Sequence, residues 1–74
     1  MTDFTLDAKG LKCPMPVLKA SKIIKGMTSG QTFELIADDA GAKSDVPPLL
    51  NKTACTLVEM KENKGVFTFL IRKN

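Results

Sequence analysis

Apolar and polar residues alternate along several stretches of this chain, and one stretch between them follows a helical period. Phe4-Thr5-Leu6-Asp7-Ala8 alternates strictly, which predicts a half-buried strand with Phe4, Leu6 and Ala8 inward. Lys9-Gly10 breaks it, and Leu11-Lys12-Cys13-Pro14-Met15-Pro16 leads into a helical stretch reaching about Met27. At about 100° per residue, Val17, Ala20, Ile23, Ile24 and Met27 share one face, and Lys19, Lys22 and Lys25 share the other. Gly26 and the Thr28-Ser29-Gly30 cluster end that helix. Thr32 to Ala37 alternates again, with Phe33, Leu35 and Ala37 on its core side, and Asp38-Asp39-Ala40-Gly41 reads as a loop. A short helix follows, capped by Ser44 or Asp45, with Pro47 and Pro48 in its first turn and Val46, Leu49 and Leu50 as its apolar side. Thr56 to Lys61 is a third strand and Glu62-Asn63-Lys64-Gly65 a hairpin turn. Val66 to Arg72 is a fourth strand, with Phe67, Phe69 and Ile71 on one face.

The order β-α-β-α-β-β predicts an α/β (α+β) two-layer sandwich in a single domain spanning 1–74: a four-stranded mixed sheet with two helices on one face. The first β-α-β is expected to be a right-handed parallel crossover, and the last two strands an antiparallel hairpin. The uncovered sheet face would carry Ile36, Val66, Thr68 and Leu70. That face either meets a partner or a second copy, or holds only scattered surface apolar residues.

Seventy-four residues leave no room for a second core, and 43% apolar with 26% charged residues is an ordinary globular mix. No apolar run approaches the length of a membrane span, and Met1-Thr2-Asp3-Phe4 has no signal-peptide character, so a cytoplasmic location away from membranes is expected. The net charge of +3 is too small to indicate direct nucleic-acid binding. Its distribution says more: Lys9, Lys12, Lys19, Lys22 and Lys25 crowd the first third of the chain. With no histidine and two cysteines, the chain can form neither a Cys-His nucleophile pair nor a four-ligand zinc site by itself. No glycine-rich phosphate loop occurs, and neither a cofactor nor a metal is expected. Asp38, Asp39 and Asp45 read as loop and cap residues, not acid/base catalysts.

Cys13-Pro14-Met15-Pro16 is the sharpest feature. The first four N–H groups of a helix lack intrahelical acceptors, so prolines there waste no donor and suit the helix start. A cysteine at or beside the N-cap meets free N–H groups, the positive end of the helix dipole and nearby Lys9 and Lys12. All of these favour the thiolate and predict a pKa below that of an ordinary cysteine. The sequence has no C-x-x-C pair, which disfavours thioredoxin-type exchange, so a lone activated sulfur suits carrying a group. The plainer alternative is a small capping residue with two prolines that merely start a helix.

Leu6-Asp7-Ala8-Lys9-Gly10-Leu11-Lys12-Cys13-Pro14-Met15-Pro16-Val17 resembles the signature of the TusA/SirA family of small sulfur-carrier proteins, Leu-Asp followed by Gly-Leu-x-Cys-Pro-x-Pro. The resemblance continues through Ala37-Asp38-Asp39, Asp45-Val46-Pro47 and Phe69-Leu70-Ile71-Arg72-Lys73. It implies that Cys13 carries sulfane sulfur as a persulfide. The sulfur would come from a cysteine desulfurase or a rhodanese and pass to an acceptor protein, DsrE-like or similar, by transpersulfidation. The destinations it implies are tRNA thiolation or dissimilatory sulfur metabolism. Where many family members have Gly-His before the third strand, this chain has Ala54-Cys55. Cys55 is either a small residue in the turn or at the strand edge, or a second thiol that resolves the Cys13 persulfide.

On the helical wheel Met15 and Leu18 fall on the lysine side. With Lys12, Lys19 and Lys22 they form a candidate partner-docking patch that would steer an acidic partner toward Cys13. Two further readings stand beside the sulfur carrier. One is a non-catalytic binding or regulatory module using the lysine face, and the other is a thiol redox protein using Cys13 and Cys55.

Overall fold

A computed structural model describes residues 2–12 and 15–74. Cys13 and Pro14 lie outside the described residues, and the expectations placed on them are not addressed by its geometry. The element order is β1 (Phe4–Asp7), α1 (Met15–Lys25), β2 (Thr32–Ala37), α2 (Ala40–Lys52), β3 (Cys55–Asn63) and β4 (Val66–Lys73). The strands form one mixed sheet in the order β1-β2-β4-β3. β1 runs parallel to β2, with Phe4 opposite Phe33 and Leu6 opposite Leu35. β4 runs antiparallel to both β2 and β3. Both helices start at the end of the sheet where β1 and β2 finish, so they run side by side in the same direction. Among the described residues no helix is long and apolar enough to cross a membrane.

The alternation seen in the sequence is realised in the core. Phe33, Leu35 and Ala37 of β2 are fully buried, and Phe67, Phe69 and Ile71 of β4 stand opposite them under the helices. From α1 the buried residues are Pro16, Ala20 and Ile24, spaced four apart, with Met27 just beyond the helix. Val17 and Ile23 are only partly covered, so the buried stripe is centred one position away from the face expected for them. Pro16 is thus both a helix starter and a core residue. Ile36, Val66, Thr68 and Leu70, on the sheet face away from the helices, are half-buried.

The second helix corrects the sequence reading. It begins at Ala40, not after Ser44 or Asp45, and Asp39 is its N-cap, its Oδ1 accepting the Gly41 N–H at 3.2 Å. Ala40 and Gly41, expected in a loop, form its first turn, and Pro47 and Pro48 lie inside it. Proline in a helix interior removes a donor, here those facing the Lys43 and Ser44 carbonyls, and crowds the preceding turn. The cost is contained because both prolines face outward while Ala42, Val46, Leu49 and Leu50 seat the helix on the core. Core burial outweighs the helix-breaking tendency of the two prolines.

β3 is longer than expected and lies at the sheet edge. Leu57 pairs with Ile71 and Glu59 with Leu70, so Val58 is the extra residue of a bulge. The bulge lets Leu57 and Met60, three positions apart, both stand opposite the core-facing Ile71 and Phe69. The hairpin turn is tighter than Glu62–Gly65: Lys64 and Gly65, both at positive φ, connect Asn63 to Val66. Two successive positive-φ residues match the twist of the flanking strands.

Ala54, between α2 and β3, has φ of 55°, a left-handed conformation that costs an L-residue roughly 1–2 kcal/mol. Its neighbours hold it there: the Thr53 N–H and Oγ1 both donate to the Leu49 carbonyl, and Lys73 Nζ donates to the Thr53 carbonyl at 2.8 Å. Ala54→Gly should therefore raise stability by about 0.5–1 kcal/mol, the strain relieved less the added freedom of the unfolded glycine. Urea unfolding of the two proteins checks this, and an unchanged or lower midpoint would show that the turn is not strained.

Candidate functional site: the β1–α1 loop and the helix faces beside it

The loop that leads toward Cys13 is built from short-range ties. Ala8, fully buried, donates its N–H to the Ile36 carbonyl at 2.7 Å and continues the β1–β2 pairing by one residue. Asp7 Oδ1 accepts the Lys9 N–H at 3.1 Å, and the Leu11 N–H closes a turn on the Ala8 carbonyl at 3.1 Å. That turn passes through Gly10 at φ of 85°, where a side chain would be strained. The Gly10 N–H donates across to Asp38 Oδ1 at 3.0 Å, joining the loop to the end of β2. Leu11 packs against the core, Lys12 is exposed, and the Lys12 carbonyl accepts the Met15 N–H at 2.8 Å as α1 begins. The Lys9–Asp7 ion pair, at 3.9 Å and more than half exposed, adds little.

No acidic residue occupies the first turn of α1, so its positive end is not neutralised from within the helix. Its last turn carries Lys22 and Lys25, which suit the negative end. Met15 is 42% exposed and Leu18 51%, large values for apolar side chains. Lys19 and Lys22 are exposed as well.

Four of the predicted docking residues, Met15, Leu18, Lys19 and Lys22, lie exposed along one side of α1. At about 100° per residue, Met15, Lys19 and Lys22 share one stripe, and Leu18 stands on the border of the next, with Ser21 and Lys25. That second stripe is one wall of an open groove of about 630 Å³ between the two helices. Pro48, Leu49 and Lys52 of α2 form the opposite wall. The groove is mostly apolar, with Ser21 and Asp45 among its lining residues and Lys25 and Lys52 at the end where the helices finish. Sequence reasoning did not assign Ser21, Pro48, Leu49 or Lys52 to a site, because a groove between two helices has no local signature.

Cys55 stands elsewhere. It is buried in the core, a free thiol at the start of β3, with the Thr53 hydroxyl and carbonyl 3.5 Å from its Sγ. It pairs with Lys73, whereas Ala37, at the end of β2 nearest the Gly10–Lys12 loop, pairs with Phe67. Six residues of strand separate these levels, roughly 20 Å. The structure therefore does not bring Cys55 to the loop that precedes Cys13. Asp39, expected in a loop, caps α2, while Asp45, expected as a candidate cap, lies within α2 and lines the groove.

The chain is 45% identical over 76 residues to the sulfur carrier protein TusA of Allochromatium vinosum, covering the whole of both. It is 36% identical over 77 residues to the sulfur carrier protein TusA of Pseudomonas putida, covering 99% of this chain and 96% of that one. Its fold matches the crystal structure of a SirA-like protein from Desulfitobacterium hafniense with a TM-score of 0.79 at 22% identity, over 93% of this chain and 95% of the other. The model of the sulfurtransferase TusA family matches residues 4–73, which takes in every strand and both helices. By this match and by the identity to its relatives along their full length, the chain belongs to the TusA sulfurtransferase family.

Proposed function

We propose that this protein is a cytoplasmic sulfur carrier that holds sulfane sulfur as a persulfide on Cys13 and relays it between two partner proteins. The observation that carries the reading is a cysteine two residues before an α-helix whose first turn has no acid, in a chain of the TusA family. The transfer needs no redox partner. The Cys13 thiolate attacks the outer sulfur of a donor persulfide; a new S–S bond forms at Cys13 as the donor's S–S bond breaks, and the donor leaves as a thiolate. The acceptor's thiolate then attacks that same outer sulfur, and Cys13 leaves as a thiolate. The positive end of α1 favours the anionic sulfur in both states.

A cysteine desulfurase or a rhodanese suits the donor's role, and a DsrE-like or similar thiol protein the acceptor's. The routes served are tRNA thiolation or dissimilatory sulfur metabolism. Docking falls to Lys12, Met15, Leu18, Lys19 and Lys22, with Lys25 and Lys52 extending the positive rim along the groove. Exposed lysines around apolar side chains suit an acidic partner with an apolar contact of its own.

Intact-mass spectrometry tests the assignment after loading with polysulfide, or with a cysteine desulfurase and cysteine. Wild type and Cys55→Ser should each gain one sulfur that reductant releases, and Cys13→Ser should gain none. Equal loading of Cys13→Ser, or none on wild type, would leave the carrier reading without its central residue.

A further inference from the structure

Asp38 has no part in the core and lies at an exposed end of β2, yet its side chain reaches 28 positions back along the chain. Its Oδ1 accepts the Gly10 N–H at 3.0 Å. The backbone on either side of Asp38 is fixed, because Ala37 is paired with Phe67 in the sheet and Asp39 caps α2. The carboxylate is thus held on a rigid anchor, while Gly10 belongs to the turn that runs through Leu11 and Lys12 to Cys13.

We propose that Asp38 is a positioning residue for the sulfur-carrying cysteine: by holding the Gly10 N–H it fixes the loop that delivers Cys13 to the start of α1. The inference rests on Cys13 being the carrier. Gly10 supports it from the other side of the bond. A Cβ built on Gly10 meets nothing within 4 Å, so the demand for glycine there comes from its φ of 85° and not from crowding. The loop is therefore bent into a costly backbone conformation and held in it by a side chain from another element. A loop released from that tie samples other paths into α1, so the sulfur is presented to a reactant for less of the time.

Three variants separate the tie from the charge. Asp38→Ala removes both, Asp38→Asn keeps an acceptor oxygen without the charge, and Gly10→Ala strains the loop while leaving Asp38 intact. Two rates are measured at neutral pH: alkylation of Cys13 by iodoacetamide, and sulfur loading from polysulfide, all in a Cys55→Ser background. Asp38→Ala and Gly10→Ala should each lower both rates by about threefold, the weight of one exposed hydrogen bond, and Asp38→Asn should stay near the parent. Urea midpoints report on overall stability, and the expected drop in rate holds after comparison at equal folded fraction. The proposal is overturned if Asp38→Ala reacts like the parent, or if Asp38→Asn falls as far as Asp38→Ala. Should Asp38→Ala fail to fold, the Gly10→Ala rates decide the matter in the same way. Alkylation of the unloaded protein reads the free thiol, independently of whether that thiol serves to carry sulfur. A Cys13 that alkylates as expected across the series but never loads sulfur would therefore end the carrier reading and leave the role of Asp38 standing.

Discussion

Replacing Phe33 with alanine should destabilise the protein by about 3–5 kcal/mol, the range for deleting a fully buried aromatic ring. Phe33 is 0% exposed on a strand with neighbours on both sides, Phe4 across the parallel pairing and Ile71 across the antiparallel one. Neither neighbour can move into the vacated space without breaking its own register, so the cavity should persist. A domain of this length has a total stability of about 4–11 kcal/mol, so the substitution takes a large fraction of it. Thermal unfolding should move down by about 12 °C or more. Val58→Ala is the control: Val58 is 53% exposed on the bulge of an edge strand, and its loss should cost little. If the two substitutions cost the same, the core does not sit between β2 and the helices as described.

Leu18→Glu should slow sulfur transfer from a loaded cysteine desulfurase by about 30-fold, with the fold intact, if the groove is where partners dock. Leu18 is 51% exposed, so its replacement leaves the core untouched. The change removes an apolar anchor and places a negative charge among Lys19, Lys22 and Lys25. Both effects weaken association with an acidic partner, and the charge component should shrink as salt is raised. Val58→Glu serves again as the comparison, because it makes the same chemical change on an exposed apolar residue at the far edge of the sheet. Transfer by Leu18→Glu at the wild-type rate, or equal slowing by both variants, would move the docking surface away from α1.

The parts of the fold that local chemistry dictates were readable in the sequence. β1, β2 and β4 stand where the alternation places them, because residues such as Phe33, Leu35, Phe67, Phe69 and Ile71 have one face on which to bury. α1 begins and ends near its expected limits, since glycine and lysine mark its close. What depended on tertiary contact was harder to read. Pro47 and Pro48 argued for a helix start, and nothing local showed that burying Ala42, Val46, Leu49 and Leu50 would carry a helix through them. Asp39 is a good capping residue by type, but Pro47 and Pro48 favour a helix start well beyond it, so its cap has no unambiguous local signal. The bulge at Val58 cannot be seen without the register of β4. The same division holds at the site. Cys13-Pro14-Met15-Pro16 announces itself by composition, whereas the tie from Asp38 to Gly10 spans two elements and exists only once they are folded together.

The two ends of the sheet are also unlike in how they can be handled. Asn74 is fastened at the end opposite the Gly10–Lys12 loop: its N–H donates to the Ala54 carbonyl at 3.0 Å and its Oδ1 accepts the Thr56 hydroxyl at 2.6 Å. A fluorophore, affinity handle or solid support attached beyond Asn74 therefore emerges from the side of the molecule away from that loop. Immobilised in this way, the protein would present the loop outward in a uniform orientation, which is the arrangement needed to follow single handover events on a surface.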